Sequence, residues 1–192
     1  LLFKWEGIRH DEPSVMMSHY DVVPVDEAKW TKPPFGAVID DNGVLWGRGC
    51  VDTKLTFNGI LFAANHLISQ GFRPNQDIYF AFSGGEEING LGAVNIVDWF
   101  ETNGITPDLV VDEGGAVVEN VFPGVTRPCA LVGLAEKGMM NLEFSVSTEG
   151  GHSSSPKPHT PIGILSKACC RVEKKTFRMH ISGPAADMFD TL

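Results

Sequence analysis

Residues 53–87 read TKLTFNGILFAANHLISQGFRPNQDIYFAFSGGEE. The stretch holds, in order, a helix, a stop, a strand and a polar turn. Ile60, Leu61, Ala64 and Leu67 share one face of a helix predicted over 53–70, and Gly71 stands where a glycine closes a helix. Residues 77–82 are aromatic and β-branched enough to predict a strand. Ser83, Gly84 and Gly85 break that strand, and Glu86 and Glu87 follow at once.

The same grammar extends both ways. Upstream, residues 14–18 read as a short buried strand that ends at His19 and Asp21, and Pro24 turns the chain away. Residues 32–36, with paired prolines, form a loop, and 44–46 a short strand before Gly47, Gly49 and Asp52. Downstream, 91–102 predicts a second helix closed by Asn103 and Gly104, and 108–111 a third strand ending at Asp112 and Glu113. Strands that alternate with helices define an α/β fold, a mostly parallel sheet flanked by helices. Such sheets bind ligands beyond the carboxyl ends of their strands, where His19, Glu86 and Glu113 fall.

The pattern changes after about residue 135. Met140, Leu142, Phe144 and Val146 alternate with polar residues, which predicts a half-exposed antiparallel strand over 139–148. A Gly, Ser and Pro loop over 150–161 and a helix over 161–174 follow. The expected organisation is an α/β metal-binding catalytic domain over 1–135 and the start of a smaller α+β domain over 136–192. One strand, one loop and one helix cannot close a core alone.

Composition narrows the function classes. The net charge of −9 over 192 residues leaves no basic stripe for phosphates, so nucleic acid is not an expected partner. No apolar run reaches membrane-spanning length, so no membrane partner is expected either. None of Cys50, Cys129, Cys169 and Cys170 forms a C-x-x-C pair, which points to reduced thiols and a cytoplasmic location. There is no phosphate-binding G-x-x-x-x-G-K-[ST] loop and no G-x-S-x-G elbow.

The polar clusters carry the chemistry. His19 and Asp21 are two apart and point the same way in a strand, so His19 can ligate a metal while Asp21 takes its other ring N–H. Asp52 follows a glycine-rich turn, and a carboxylate there can bridge two cations or cap the helix behind it. Of Glu86 and Glu87, one can face the metals and the other the substrate. A glutamate beside metal-activated water can take its proton. Asp112 and Glu113 end the third strand, and alternation lets only one of them face the site. His152, in a Gly-Gly-His-Ser-Ser loop, is a candidate donor to an oxyanion. Histidine and carboxylate without a cysteine quartet suit a hydrolytic site with two zinc ions, and the ligand set also suits cobalt or manganese.

Five motifs in order, SHYDVVP, WGRGCVDTK, FSGGEE, VVDEGG and GGHSS, resemble those of the M20 metallopeptidases, the family of aminoacylase-1, carboxypeptidase S and bacterial dipeptidases. The carboxypeptidase S and aminoacylase branch is the nearest in general look. The resemblance implies two zinc ions per complete subunit, with His19 on one, Asp52 bridging both, and Glu87 and Glu113 on opposite ions. It implies Glu86 as general base, Asp21 as support for His19, and a cis peptide after Asp52. His152 would polarise the substrate carbonyl, often in a partner subunit, and a homodimer would form through the smaller domain. Peptides or N-acyl amino acids are the implied substrates. The family's last metal ligand is a histidine near the end of a longer chain. Nothing after His152 fits it, so the chain is expected to stop inside the smaller domain. The alternative expectation is a non-catalytic metal-binding or dimerising homologue.

Overall fold

A computed structural model describes residues 1–135 and 138–192. The chain separates into two compact units, Leu1–Gly114 and Gly115–Leu192.

The first unit is built on a four-stranded sheet. In chain order it contains β1 (Leu2–Trp5), β2 (Arg9–His19), the small pair β3 (Val38–Ile39) and β4 (Leu45–Trp46), α1 (Lys54–Ser69), β5 (Gln76–Ser83), α2 (Gly92–Thr102) and β6 (Leu109–Val111). The sheet order is β1-β5-β2-β6. β2 runs parallel to both β5 and β6, and β1 is an antiparallel edge. This is the mostly parallel, helix-flanked sheet that the alternation of segments predicts. The antiparallel edge β1 is an addition: its LFKW sequence is too short to show a period.

Topology sets the layers. The chain moves from β2 to β5 on one side and then back past β2 to β6 on the other. Right-handed crossovers in opposite directions put their helices on opposite faces. The contacts agree. Phe57 of α1 packs 4.5 Å from Phe82, whereas Phe100 of α2 packs 5.1 Å from Tyr79. Tyr79 and Phe82 are three apart in β5 and so face opposite ways. Val15, Tyr79, Ala81 and Phe100 form the buried cluster on the α2 side.

Both helices end as the sequence predicts. Gly71 has φ of +75°; its N–H reaches the Ile68 carbonyl and the Phe72 N–H the Leu67 carbonyl. Gly104, with φ of +66°, closes α2 in the same way through Glu101 and Phe100. These are left-handed closures that a Cβ would strain.

At the end of the sheet away from β2's last residue, Asp77 is almost fully buried. Its carboxylate meets Lys4 Nζ at 2.8 Å, the Gly7 N–H at 2.8 Å and His10 Nδ1 at 2.9 Å. Burial pushes this carboxyl upward, but the bonds from Lys4, Gly7 and His10 outweigh it and hold the pKa at about 2. His10, which has no role in the sequence reading, thus ties the start of β2 to the start of β5, and Gly7 ties the β1–β2 connection to the same carboxylate.

The second unit contains the hairpin β7 (Ala116–Val118) and β8 (Cys129–Leu131), then α3 (Pro161–Lys174) and α4 (Gly183–Thr191). α3 has the predicted bounds, and Thr160 Oγ1 caps it by accepting the Gly163 N–H at 3.1 Å. The predicted strand over 139–148 is not formed. Alternation marks a surface that suits a sheet, but a strand needs a neighbour. Among the described residues the hairpin strands pair only with each other.

Candidate metal centre

The parallel register brings three strand ends to one edge. His19 closes β2 opposite Ser83 of β5, and Met16 lies opposite Val111 of β6. The polar residues that follow each strand therefore gather beyond the same edge.

His19 is the centre of that gathering. Its side chain is 2% exposed, and Nε2 faces Asp52 Oδ1 at 3.0 Å, Glu113 Oε1 at 3.1 Å and Glu86 Oε2 at 3.9 Å. The other ring nitrogen, Nδ1, lies 3.1 Å from the Asp21 carbonyl oxygen and 3.4 Å from its carboxylate. An N–H on Nδ1 donated to Asp21 leaves Nε2 as the free ligand atom. Burial works against a proton on His19, but the Asp52 bond and the Glu113 and Glu86 charges prevail and raise its pKa.

Asp52 comes to His19 across the glycine-rich turn after β4. The peptide bond between Asp52 and Thr53 is cis, and Gly49 has φ of +85°. Thr53, the residue after Asp52, is buried and stands at the N-cap position just before α1.

Glu86 and Glu87 occupy a single 3-10 turn, Glu86–Ile88, entered through left-handed Gly85. Asp21 holds this turn. Its two carboxylate oxygens accept the Glu86 and Glu87 N–H groups, each at 3.2 Å. Burial raises the Asp21 pKa and these N–H bonds lower it, with a net depression. Glu86 is pushed the other way. Desolvation raises its pKa, and the charges of Glu87, Glu113 and Asp21 add to the rise against the pull of His19.

His19, Asp52 and Glu113 offer one ligand atom each, and all three atoms lie within 4.8 Å of one another. One imidazole and converging carboxylates carry more negative charge than an imidazolium would balance, which suits a divalent cation. Glu86 stands beside this group. Glu87 contributes its backbone N–H to Asp21. Asp112 accepts the Glu113 N–H at 2.9 Å, a local bond that orients the segment after β6. His152 belongs to the second unit, where it is exposed and its Nδ1 lies 2.8 Å from Ser154 Oγ.

The sequence reading missed Tyr20. Its N–H donates to the Ser83 carbonyl at 3.0 Å and its carbonyl accepts Lys54 Nζ at 2.6 Å. Its ring covers Gly84, where a Cβ would stand 3.0 Å from the ring. Gly84 was the available signal: a glycine after a buried strand marks a close approach.

The comparisons agree with this architecture. The model of peptidase family M20/M25/M40 matches residues 15–190, and the chain belongs to that family. It is 43% identical over 178 residues to "Probable carboxypeptidase S-like 2" of Dictyostelium discoideum, covering 90% of this chain and 34% of the relative. It is 39% identical over 194 residues to N-fatty-acyl-amino acid synthase/hydrolase PM20D1 of Xenopus tropicalis, covering 100% of this chain and 38% of the relative. The chain thus spans little more than a third of these relatives' length. Among solved structures, the M20 family metallo-carboxypeptidase Sso-CP2 from Sulfolobus solfataricus superposes with a TM-score of 0.52 at 28% identity. That match covers 62% of this chain and 26% of the other. The di-peptidase Dug1p from Saccharomyces cerevisiae, at 21% identity and a TM-score of 0.51, shares the fold. Among the described residues, no helix is long and apolar enough to cross a membrane.

Proposed function

We propose that the full-length protein is a metal-dependent hydrolase of amide bonds in peptides or N-acyl amino acids. The observation that carries this reading is the convergence of His19, Asp52 and Glu113 at one sheet edge, with Glu86 at 3.9 Å from the same histidine nitrogen. The substrate class follows the names of relatives, a carboxypeptidase S-like protein and an N-fatty-acyl-amino acid synthase/hydrolase.

Zinc, two ions per complete subunit, is the proposed cofactor. His19 would hold one ion, Asp52 would bridge, and Glu87 and Glu113 would serve opposite ions. When bound, a divalent cation supplies Lewis acidity that polarises a carbonyl and eases loss of a proton from water.

The protein's own groups manage the proton. Glu86 is the general base: its carboxylate takes a proton from the attacking water and returns it to the leaving amine. A carboxylate whose pKa is raised by burial and by neighbouring carboxylates is better matched to that exchange. Asp21 keeps Glu86 and Glu87 in register with His19 through its two N–H bonds. His152 is proposed to donate a hydrogen bond to the developing oxyanion. The segment from residue 136 onward is proposed as the start of a lid through which a homodimer forms.

Elemental analysis of the full-length protein after zinc loading and desalting tests the reading. About two equivalents per chain, with turnover of dipeptides or N-acyl amino acids, is the expected result. A folded protein that retains no metal would overturn it.

A further inference from the structure

One lysine stands against this acidic site, and the proposed chemistry does not use it. Lys54 is the first residue of α1, the helix end where the macrodipole disfavours a cation. The first turn contains no acidic residue to compensate it. The side chain instead turns back toward β2. Its stem crosses Gly49, where a Cβ would come within 3.3 Å of Cε. Its Nζ then donates to the Tyr20 carbonyl at 2.6 Å. The Lys54 backbone N–H donates to the Gly49 carbonyl at 2.9 Å, so main chain and side chain are both anchored.

The position of the acceptor matters. Tyr20 lies between His19 and Asp21, and its own N–H is bound to the Ser83 carbonyl at the end of β5. Lys54 lies two residues after Asp52. One ammonium therefore joins the chain just after His19 to the chain just after Asp52. A lysine loses substantial rotamer freedom when held this way. A short bond from a cation to a carbonyl offsets that loss.

We propose that Lys54 is a positioning residue, which holds His19 and Asp52 at their ligating separation before a cation arrives. This rests on the metal-dependent reading above.

The test measures zinc affinity by competition with a chromophoric chelator, and metal-free thermal stability, for full-length wild type, Lys54→Met and Lys54→Arg. Methionine keeps the stem and removes the donor. Lys54→Met is expected to bind zinc about tenfold more weakly, the scale of losing a partner behind a ligand, with metal-free stability little changed. Lys54→Arg, which keeps charge and donors, should recover most of the affinity. Wild-type affinity in Lys54→Met overturns the proposal. So does a matching collapse of metal-free stability or a failure to fold, which would make Lys54 merely structural. A wild type that binds no zinc would instead remove the functional reading on which the proposal depends.

Discussion

His19 Nε2 stands 3.0 Å from Asp52 Oδ1, although the two residues are 33 positions apart and belong to different segments of the chain. The contact exists because β2 delivers the imidazole and the turn into α1 delivers the carboxylate. It is the shortest of the approaches to that nitrogen, which makes Asp52 the carboxylate to remove first.

Asp52→Ala should weaken zinc binding by at least the 10–100-fold range seen when an outer partner of a ligand is lost. Chelator competition on the full-length protein measures it. Unchanged binding of both ions would refute a bridging role for Asp52.

Glu86→Gln is isosteric and removes only the ability to take a proton. Zinc content should stay at the wild-type level while turnover falls by about 10²–10⁴, the usual worth of a general base. A variant that keeps its turnover would show that another group carries the proton.

Asp77 predicts an acid limb to stability, independent of the metal. Its folded pKa of about 2 lies below the ordinary 3.8, so the ionised form is the one the fold favours. The contribution is present above pH 4 and is lost as the pH falls toward 2. Its size is about 2 kcal/mol, from the linkage between pKa shift and stability. Asp77→Asn should lower stability by that order at pH 7 and by little near pH 2, as urea titrations at both values would show. Equal losses at the two values would contradict the assignment.

Gly92 predicts a steric failure. A Cβ there would lie 2.4 Å from the Gly84 carbonyl oxygen, a backbone atom that cannot swing away. Gly92→Ala should cost about 1–3 kcal/mol, the range of overpacked sites. It should also lower turnover, because the displaced strand end leads directly into Glu86. Urea unfolding and turnover of the same sample check both effects.

Much of this arrangement is legible along the chain. α1, β5 and α2 announce themselves through periodicity and through Gly71 and Gly104, whose backbone angles leave little choice. The strand ends at His19 and Ser83 are legible because polar residues follow apolar runs abruptly. β1 is not legible, since four residues show no period and its partner is distant in sequence. β7, β8 and α4 are short and carry similarly weak patterns. The strand expected over 139–148 fails for the opposite reason: its alternation is clear, but pairing is a property of two segments. Within the site, residue types were readable and orientations were not. Asp21 illustrates this. Its spacing from His19 suggests a partner for the ring, whereas its carboxylate also accepts two backbone N–H groups from a segment 65 and 66 positions away.

The separation of donors along the chain has a consequence for assembly. His19, Asp52 and Glu113 arrive one after another, each following a further strand or helix, so no short piece of the chain holds the set. During synthesis the donors emerge singly, and a cation met early finds isolated ligands. The crossovers that gather them are long-range closures, a slow class of folding event. A cation that binds only the gathered set draws the whole folding equilibrium toward the closed sheet. On the proposed metal-dependent reading, cation supply during synthesis should then govern the yield of folded protein.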